Sequence, residues 1–530
     1  RGLRIAGALV LMVVTLCLAA LIIHQVIFPL VVAAVPALRS CAYDLAVYGI
    51  APTRRYHSLA ARSPEPGVLR WHDRCDDDGL LFLGPYGASV PTPGATVLDA
   101  RGDLVWTTTE YGYVINLQMQ HFAGRPYLTF WSGDKDGSVG RGTAYMLDDS
   151  YRRAYTVNAV GANLMADLHE FEITADGTAL ITVYNDTTAD LSSFSWFRDE
   201  HGWVADCIFQ EIDIVTGQLV FQWVASEHVD LRDTHYFQPF SGFDARDTYD
   251  YYHLNSVVKD SRGNYLISSR HFHAITYIDG RSGDILWVIS KHSPDFVDVS
   301  DGRATDFKWS HHARWVDEDA GIISLFDNGV AGPLHLDSPH SKGTMIQIDR
   351  ANRTVRHLRD FHPLQNVRSH SQGGLQVLPN RDVLVGWGSS AMWSQFDPDG
   401  TLLCEVHFGA SLLYYWEWVK SYRVFKFWGW VGRPREPPAV VLDRDTLYVS
   451  WNGATEVRFW RLQGQPRHAR GQAPPNNNDG DDDAFQTIET APKRGFEHAF
   501  ALPARHHDFW RYRVAALDAD RVVLDHSPVV

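Results

Sequence analysis

Four stretches of the sequence open on histidine and repeat one pattern, and this repeat constrains the fold more than any other feature. They read HEFEITADGTALITVYND from His169, HLNSVVKDSRGNYLISSRH from His253, HHARWVDEDAGIISLFDN from His311 and HSQGGLQVLPNRDVLVGWG from His370. Each passes through a short apolar strand, meets a polar turn about nine residues on, and returns as a second apolar strand. The leading histidines are 84, 58 and 59 residues apart, and the wider first interval holds a polar and aromatic insertion near SSFSWFRDEHGW. A two-strand unit at this interval, completed by strands such as QEIDIVTGQLVFQWV and GTMIQIDRANRTVRHL, is the pattern of propeller blades. An earlier blade fits ATVLDARGDLVWTTTEYGYVINLQ onward, and a last one fits AVVLDRDTLYVSWNGATEVRFWRL onward. The expected fold is all-β, a propeller of about six blades, which also reconciles 530 residues with one large domain.

In a propeller the first strand of every blade lines the central channel, so residues at the same position of successive first strands face one volume. His169, His253, His311 and His370 are therefore expected to converge there, and convergent polar groups in a channel are the default site hypothesis. Arg270 follows the second strand of the His253 unit, and Arg314 follows His311 by three residues, so both guanidinium groups could face the same space. Imidazoles so arranged could ligate a metal, or one could attack an electrophile while the others and an arginine hold anionic oxygens. Cations beside a metal oppose its binding and favour an anionic substrate, which tilts the reading to a nucleophilic site with no metal and no cofactor. The chain has no GxSxG elbow, Walker-type loop, HExxH or CxxC pair, and DKDGSVGRG near Asp134 reads as a turn.

The segment before the repeats differs. Ile5 to Ile23 carry no charge, and a second apolar run spans Val26 to Val35. This length predicts a membrane-spanning helix, an uncleaved anchor rather than a cleaved signal, over residues 1–36. Arg1 and Arg4 would then put the N-terminus in the cytosol and the body in the lumen or outside the cell. A stem and entry to the propeller over 37–94 and a propeller over 95–530 would follow, with GQAPPNNNDGDDD marking a disordered insertion at 466–484. Cys41 and Cys75 flank the stem and suggest a disulfide, although two unpaired thiols fit nearly as well. Asn185 and Asn352 stand in glycosylation sequons that suit a luminal body. The aromatic stretch LLYYWEWVKSYRVFKFWGWVGRPR reads as a strand pair under a blade rather than a membrane-surface helix, since it lacks the 3.6-residue moment. Lys+Arg 48 against Asp+Glu 63 gives a net charge of −15, which argues against nucleic acid as a partner.

HLNSV at His253, ISSRH ending at His271, SHHAR at Ser310, FDNG at Phe326, SYRVFKFWGWVGRPREPPAV at Ser421 and LYVSWNGATEV at Leu447 together resemble the fungal branch of the arylsulfotransferase family. The resemblance runs from about residue 95 to the C-terminus. It implies a six-bladed propeller that moves a sulfuryl group from an aryl sulfate ester to a phenol through a sulfated histidine, without a nucleotide donor. By motif, His311 resembles the family's nucleophile, His253 and Asn255 its His-x-Asn pair, Arg270 its sulfate-binding arginine and His169 the further channel histidine. Arg314, His370 and His312 are then candidate substrate contacts. His312 stands where the family usually has an acidic or amide residue. The competing expectations are a non-catalytic binding propeller and a metal-dependent hydrolase using the same channel.

Overall fold

The computed structural model describes residues 2–27, 30–31, 38–194, 201–332, 335–466, 485–502 and 509–530. The expected insertion at 466–484 falls, apart from Pro466, outside the described residues, as does part of the insertion near residue 195.

The Asp-led turns of the sequence set the strands. Asp99, Asp260 and Asp397 each accept two backbone N–H groups on Oδ1, from Arg101 and Asp103, from Arg262 and Asn264, and from Asp399 and Thr401. Gly102, Gly263 and Gly400 follow at φ of 84°, 83° and 84°, a conformation that glycine adopts without a Cβ penalty. The apolar runs between such turns form nearly all-β structure, almost wholly antiparallel.

The sequence-leading strands fall into consecutive sheets. Val424–Phe427 pairs with Leu80–Leu83, which continues to Ala95–Leu98 and Leu104–Thr108. An eight-stranded sheet extends from Val114–Phe122 to Leu219–Val224 and carries His169 in Ala166–Ile173. A four-stranded sheet starts at Leu254–Lys259, directly after His253. A five-stranded sheet starts at His311–Asp317, and another runs from Gly374–Val377 to Leu402–His407 and on to Gly67–Arg70. Two further sheets hold Ala439–Asp443, Thr446–Ser450 and Glu497–Ala501, and the strands from Phe459 to His526.

Two expectations are corrected here. The segment 37–94, expected as stem and entry to the propeller, supplies Gly67–Arg70 and Leu80–Leu83 to sheets that also hold strands from distant parts of the chain. The same pairing carries Cys75 beside strand Leu402–His407, so Cys75 is bonded to Cys404, not to Cys41, which is exposed on the short helix Arg39–Asp44. Finally, the N-terminal α-helix stops at Ile22, and Ile23–Ile27 wind as a π-turn with the His24 ring hydrogen-bonded to Leu45 O. Among the described residues no helix is long and apolar enough to cross a membrane. The expected single-pass anchor, and the luminal placement that depended on it, are withdrawn.

Candidate functional site

Three of the four leading histidines meet. The ring centroids of His169 and His253 are 4.6 Å apart, and those of His253 and His311 6.2 Å apart. His271 joins them 4.7 Å from His253, and Tyr422 lies 5.8 Å from His169 and 6.4 Å from His311. All five side chains are buried.

Each imidazole is oriented by a second residue. His169 Nδ1 lies 2.5 Å from Asp167 Oδ2, which also accepts from the Thr182 hydroxyl. His253 Nδ1 is hydrogen-bonded to Asp250 Oδ2, and His271 Nδ1 donates to Asp250 O at 2.7 Å. For His311 the partner fixes the tautomer. Asn328 Nδ2 donates to Ser369 O at 2.8 Å and to Gln372 O at 3.0 Å, so its Oδ1 is the acceptor that faces His311 Nδ1 at 2.7 Å. Nδ1 therefore carries the proton and Nε2 the lone pair, which receives a long 3.2 Å contact from the Gln372 N–H.

Arg270 supplies the positive charge. Its Nη2 donates to His370 O at 2.6 Å, its Nη1 lies 3.2 Å from His271 Nε2, and its guanidinium rests 5.8 Å from the Trp309 ring centroid. Among the described residues no carboxylate lies within ion-pair distance of it, and its Nε and the Tyr422 hydroxyl have no hydrogen-bond partner. A buried guanidinium without a carboxylate, beside unmet donors and neutral imidazoles, suits a tetrahedral oxyanion. Asp250, His253 and His271 also bring potential metal-ligand atoms within 4.8 Å of one another. The adjoining Arg270 charge opposes a cation there, and His253 Nδ1 and His271 Nδ1 are already engaged with Asp250.

The arylsulfotransferase (ASST) family matches residues 118–409, more than half of the chain and every channel residue named above except Tyr422. The chain belongs to the arylsulfotransferase family. No curated protein matches it significantly. Among solved structures it is similar to a protein of unknown function from Bacteroides caccae (11% identity, 67% of this chain and 100% of that one, TM-score 0.38). It is also similar to a Lactobacillus plantarum protein (12% identity, 66% and 99%, TM-score 0.32) and to the Cps50 (Swd1) β-propeller domain of Myceliophteria thermophila (12% identity, 64% and 97%, TM-score 0.28). At these scores the likenesses bear on neither blade count nor chemistry.

In this arylsulfotransferase-family chain the remaining candidates fall in several places. His312 is the bulged residue between His311, paired with Phe326, and Arg314, paired with Ser324. Its φ of 58° turns its ring away from the cluster to Phe425, 5.6 Å distant, and to the Gly374 backbone. Arg314 turns the same way: it pairs with buried Glu170 at 2.6 Å, which also holds Arg423 at 3.0 Å. Asn255 donates from Nδ2 to Ser310 O at 2.7 Å, so its amide supports the start of the His311 strand. His370 gives only its carbonyl to Arg270, while its ring packs against Tyr415. Asn185 is half-buried within strand Thr178–Ala189, and Asn352 is exposed in a turn where its amide donates to Asp349. Asp250, Asn328, Tyr422 and Gln372 are site residues that sequence reading did not assign. TYDYYHLN carried a signal for one of them, an acid three residues before His253, and FDNG for another, an amide at the end of the strand that pairs with the His311 strand.

Burial, first among the causes, pushes the pKa values of His253, His271, His311 and His312 well below the ordinary histidine value; nearby charge adds to it, from Arg270 at His253, His271 and His311 and from Arg314 at His312. The folded chain thus keeps these rings neutral while the unfolded chain protonates them, so their contribution is complete above about pH 6.5 and is lost as pH falls below it. His273, pushed down to about 2 by burial, works with them, while Glu172 and Asp327, pushed up to about 7 and about 6 chiefly by burial, work in the opposite direction. Urea unfolding is expected to show a lower midpoint at about pH 5.5 than at about pH 7.5. Equal stability at both pH values would mean that the rings are charged in the fold.

Proposed function

We propose that this chain transfers a sulfuryl group between aryl substrates through His311. The observation that carries the reading is the His311 tautomer: Asn328 holds the Nδ1 proton, leaving the Nε2 lone pair beside a carboxylate-free Arg270. The Nε2 lone pair forms an N–S bond as the S–O bond to the aryl group breaks, and the phenolate leaves with that electron pair. The acceptor phenol gives up its proton to solvent, its oxygen forms the new S–O bond, and the N–S pair returns to Nε2. Throughout, the ring keeps its Nδ1 proton on Asn328, while Arg270 and Tyr422 are the donors available to the sulfuryl oxygens. The Gln372 N–H must be displaced from Nε2 before attack.

This reading takes the fold as a six-bladed propeller, with the eight-stranded sheet counted as two blades and the sheets carrying Leu80–Leu83, Leu254–Lys259, His311–Asp317 and Gly374–Val377 as the other four. The strings from Ser421 and Leu447 favour the fungal branch of the family. They lie beyond the matched residues.

Removing the closer of the two acceptors for Nδ1, Asn328 Oδ1 at 2.7 Å against Trp309 O at 3.1 Å, tests the mechanism without removing the nucleophile. Asn328→Leu is expected to lower kcat about tenfold or more, because the longer contact alone holds the ring less firmly in its orientation. Phenolate release from a chromogenic aryl sulfate reads this out. An unchanged kcat would detach Asn328 from the chemistry.

A further inference from the structure

Beside the histidine cluster lies a cavity of about 600 Å³. It meets the cluster at two residues: the Tyr86 hydroxyl donates to Gln372 Oε1 at 2.9 Å, the Gln372 N–H being the group at His311 Nε2, and His370, on the cavity wall, gives its carbonyl to Arg270. Its outer walls are aromatic. Trp416, Tyr415 and Trp418 are 61%, 51% and 38% exposed, an unusual display of large rings unless something covers them.

Two ammonium groups stand over the same ring. Lys135 Nζ is 5.5 Å and Lys420 Nζ 5.3 Å from the Tyr86 centroid. Lys420 is matched by Glu417, at 2.5 Å. Lys135, near the tip of the hairpin formed by Arg125–Asp136 and Val139–Leu147, has no carboxylate within ion-pair distance among the described residues. Lys135 is exposed at the rim, so its ammonium is open to a ligand, and the neighbouring Lys420 ammonium adds to a positive potential that an anion would relieve. Arg270 already serves the charge of a sulfuryl group at the inner end. A cation at the outer end, across an aromatic wall, matches a second negative charge on the far side of an aryl ring.

We infer that this vestibule binds arenes carrying an anionic substituent remote from the reacting oxygen, such as phenols with a carboxylate side chain, with Lys135 as the residue that selects them. The inference rests on the sulfuryl-transfer reading and narrows its substrate class, yet binding can be measured without turnover. Hydroxyphenylpropionate and its methyl ester differ in that one charge. Quenching of tryptophan fluorescence on the full chain should show the acid binding about tenfold tighter than the ester, with the preference shrinking as salt rises. Lys135→Met should bring the ratio close to one, while Lys135→Arg should keep it. Equal binding of acid and ester, or a preference that survives Lys135→Met, overturns the inference. The same pair used as acceptors with a chromogenic donor separates the two claims. Selective binding without transfer leaves the vestibule assigned and removes the transfer reading; transfer with no preference for the acid does the reverse.

Discussion

His311→Ala is expected to lower release of phenolate from an aryl sulfate by at least about a thousandfold, while the chain still folds. The size follows from the role: no other imidazole of the cluster has its Nδ1 proton held by an amide of fixed orientation with Nε2 facing only the displaceable Gln372 N–H. His253 and His169 use Nδ1 on carboxylates that hold them as donors or supports, and His271 lies against Arg270. The variant leaves Asn328 Oδ1 and the Gln372 N–H without their partner, so stability should drop by about 1–3 kcal/mol, well short of unfolding a chain of this size. Near-ultraviolet circular dichroism separates the two effects. A native spectrum with no turnover supports the assignment, whereas a native spectrum with retained turnover ends it.

The second large effect is on stability. Glu170→Ala is expected to destabilise the protein by about 3 kcal/mol, because it strands the fully buried Arg423 guanidinium and leaves Arg314, 15% exposed, with only the longer Glu172 contact at 3.7 Å. The Arg423 side chain is fully inaccessible, the Glu170 carboxylate accepts from it at 3.0 Å and from Arg314 at 2.6 Å, and Arg423 Nη2 also reaches His169 O at 3.3 Å and Asn255 O at 3.0 Å. These three residues tie the backbones under His169, Asn255 and the His311 strand together, so the loss should appear both as a lower urea midpoint and as impaired turnover. Arg314→Met added to Glu170→Leu should recover part of the stability, since one stranded charge is removed with its partner. A loss below about 1 kcal/mol for Glu170→Ala would mean that water reaches this cluster and screens it.

Much of this site was legible in the sequence, for a geometric reason. His169, His253 and His311 head equivalent strands, and that periodicity survives into space as adjacent rings. Arg270, one residue beyond strand Tyr265–Ser269, lands among them for the same reason. What failed was anything that needed local backbone detail. Counting three residues from His311 to Arg314 assumes a regular strand, and the left-handed turn at His312 diverts both side chains to the Glu170 side. The same bulge explains how the unusual His312 is accommodated: it lies against Phe425 and Gly374, away from the reacting atoms. Tyr422 and Gln372 carry no periodic signal at all, since loop segments place them.

Long-range pairings were equally invisible. Cys75 and Cys404 are 329 residues apart, and nothing in the spacing links them. The run from Ala439 reads as one more blade because its strands alternate like the rest, but its partner is Glu497–Ala501, and Val424–Phe427 pairs instead with the N-terminal Leu80–Leu83. The uncharged apolar run at the N-terminus predicts an anchor, whereas among the described residues no helix is long and apolar enough to cross a membrane. The aromatic stretch after Leu412 was read as blade packing, yet it supplies both the strand Val424–Phe427 and the exposed rings of the vestibule.

The central claim is a covalent bond between sulfur and His311, and peptide mapping after brief exposure of the full chain to a chromogenic aryl sulfate tests it most directly. The digest must avoid acid, which cleaves the N–S bond. The account predicts one added sulfuryl group on the peptide carrying His311, discharged when a phenol is supplied. Phenolate release with the sulfuryl group on another residue, or with no adduct on any peptide, would contradict it.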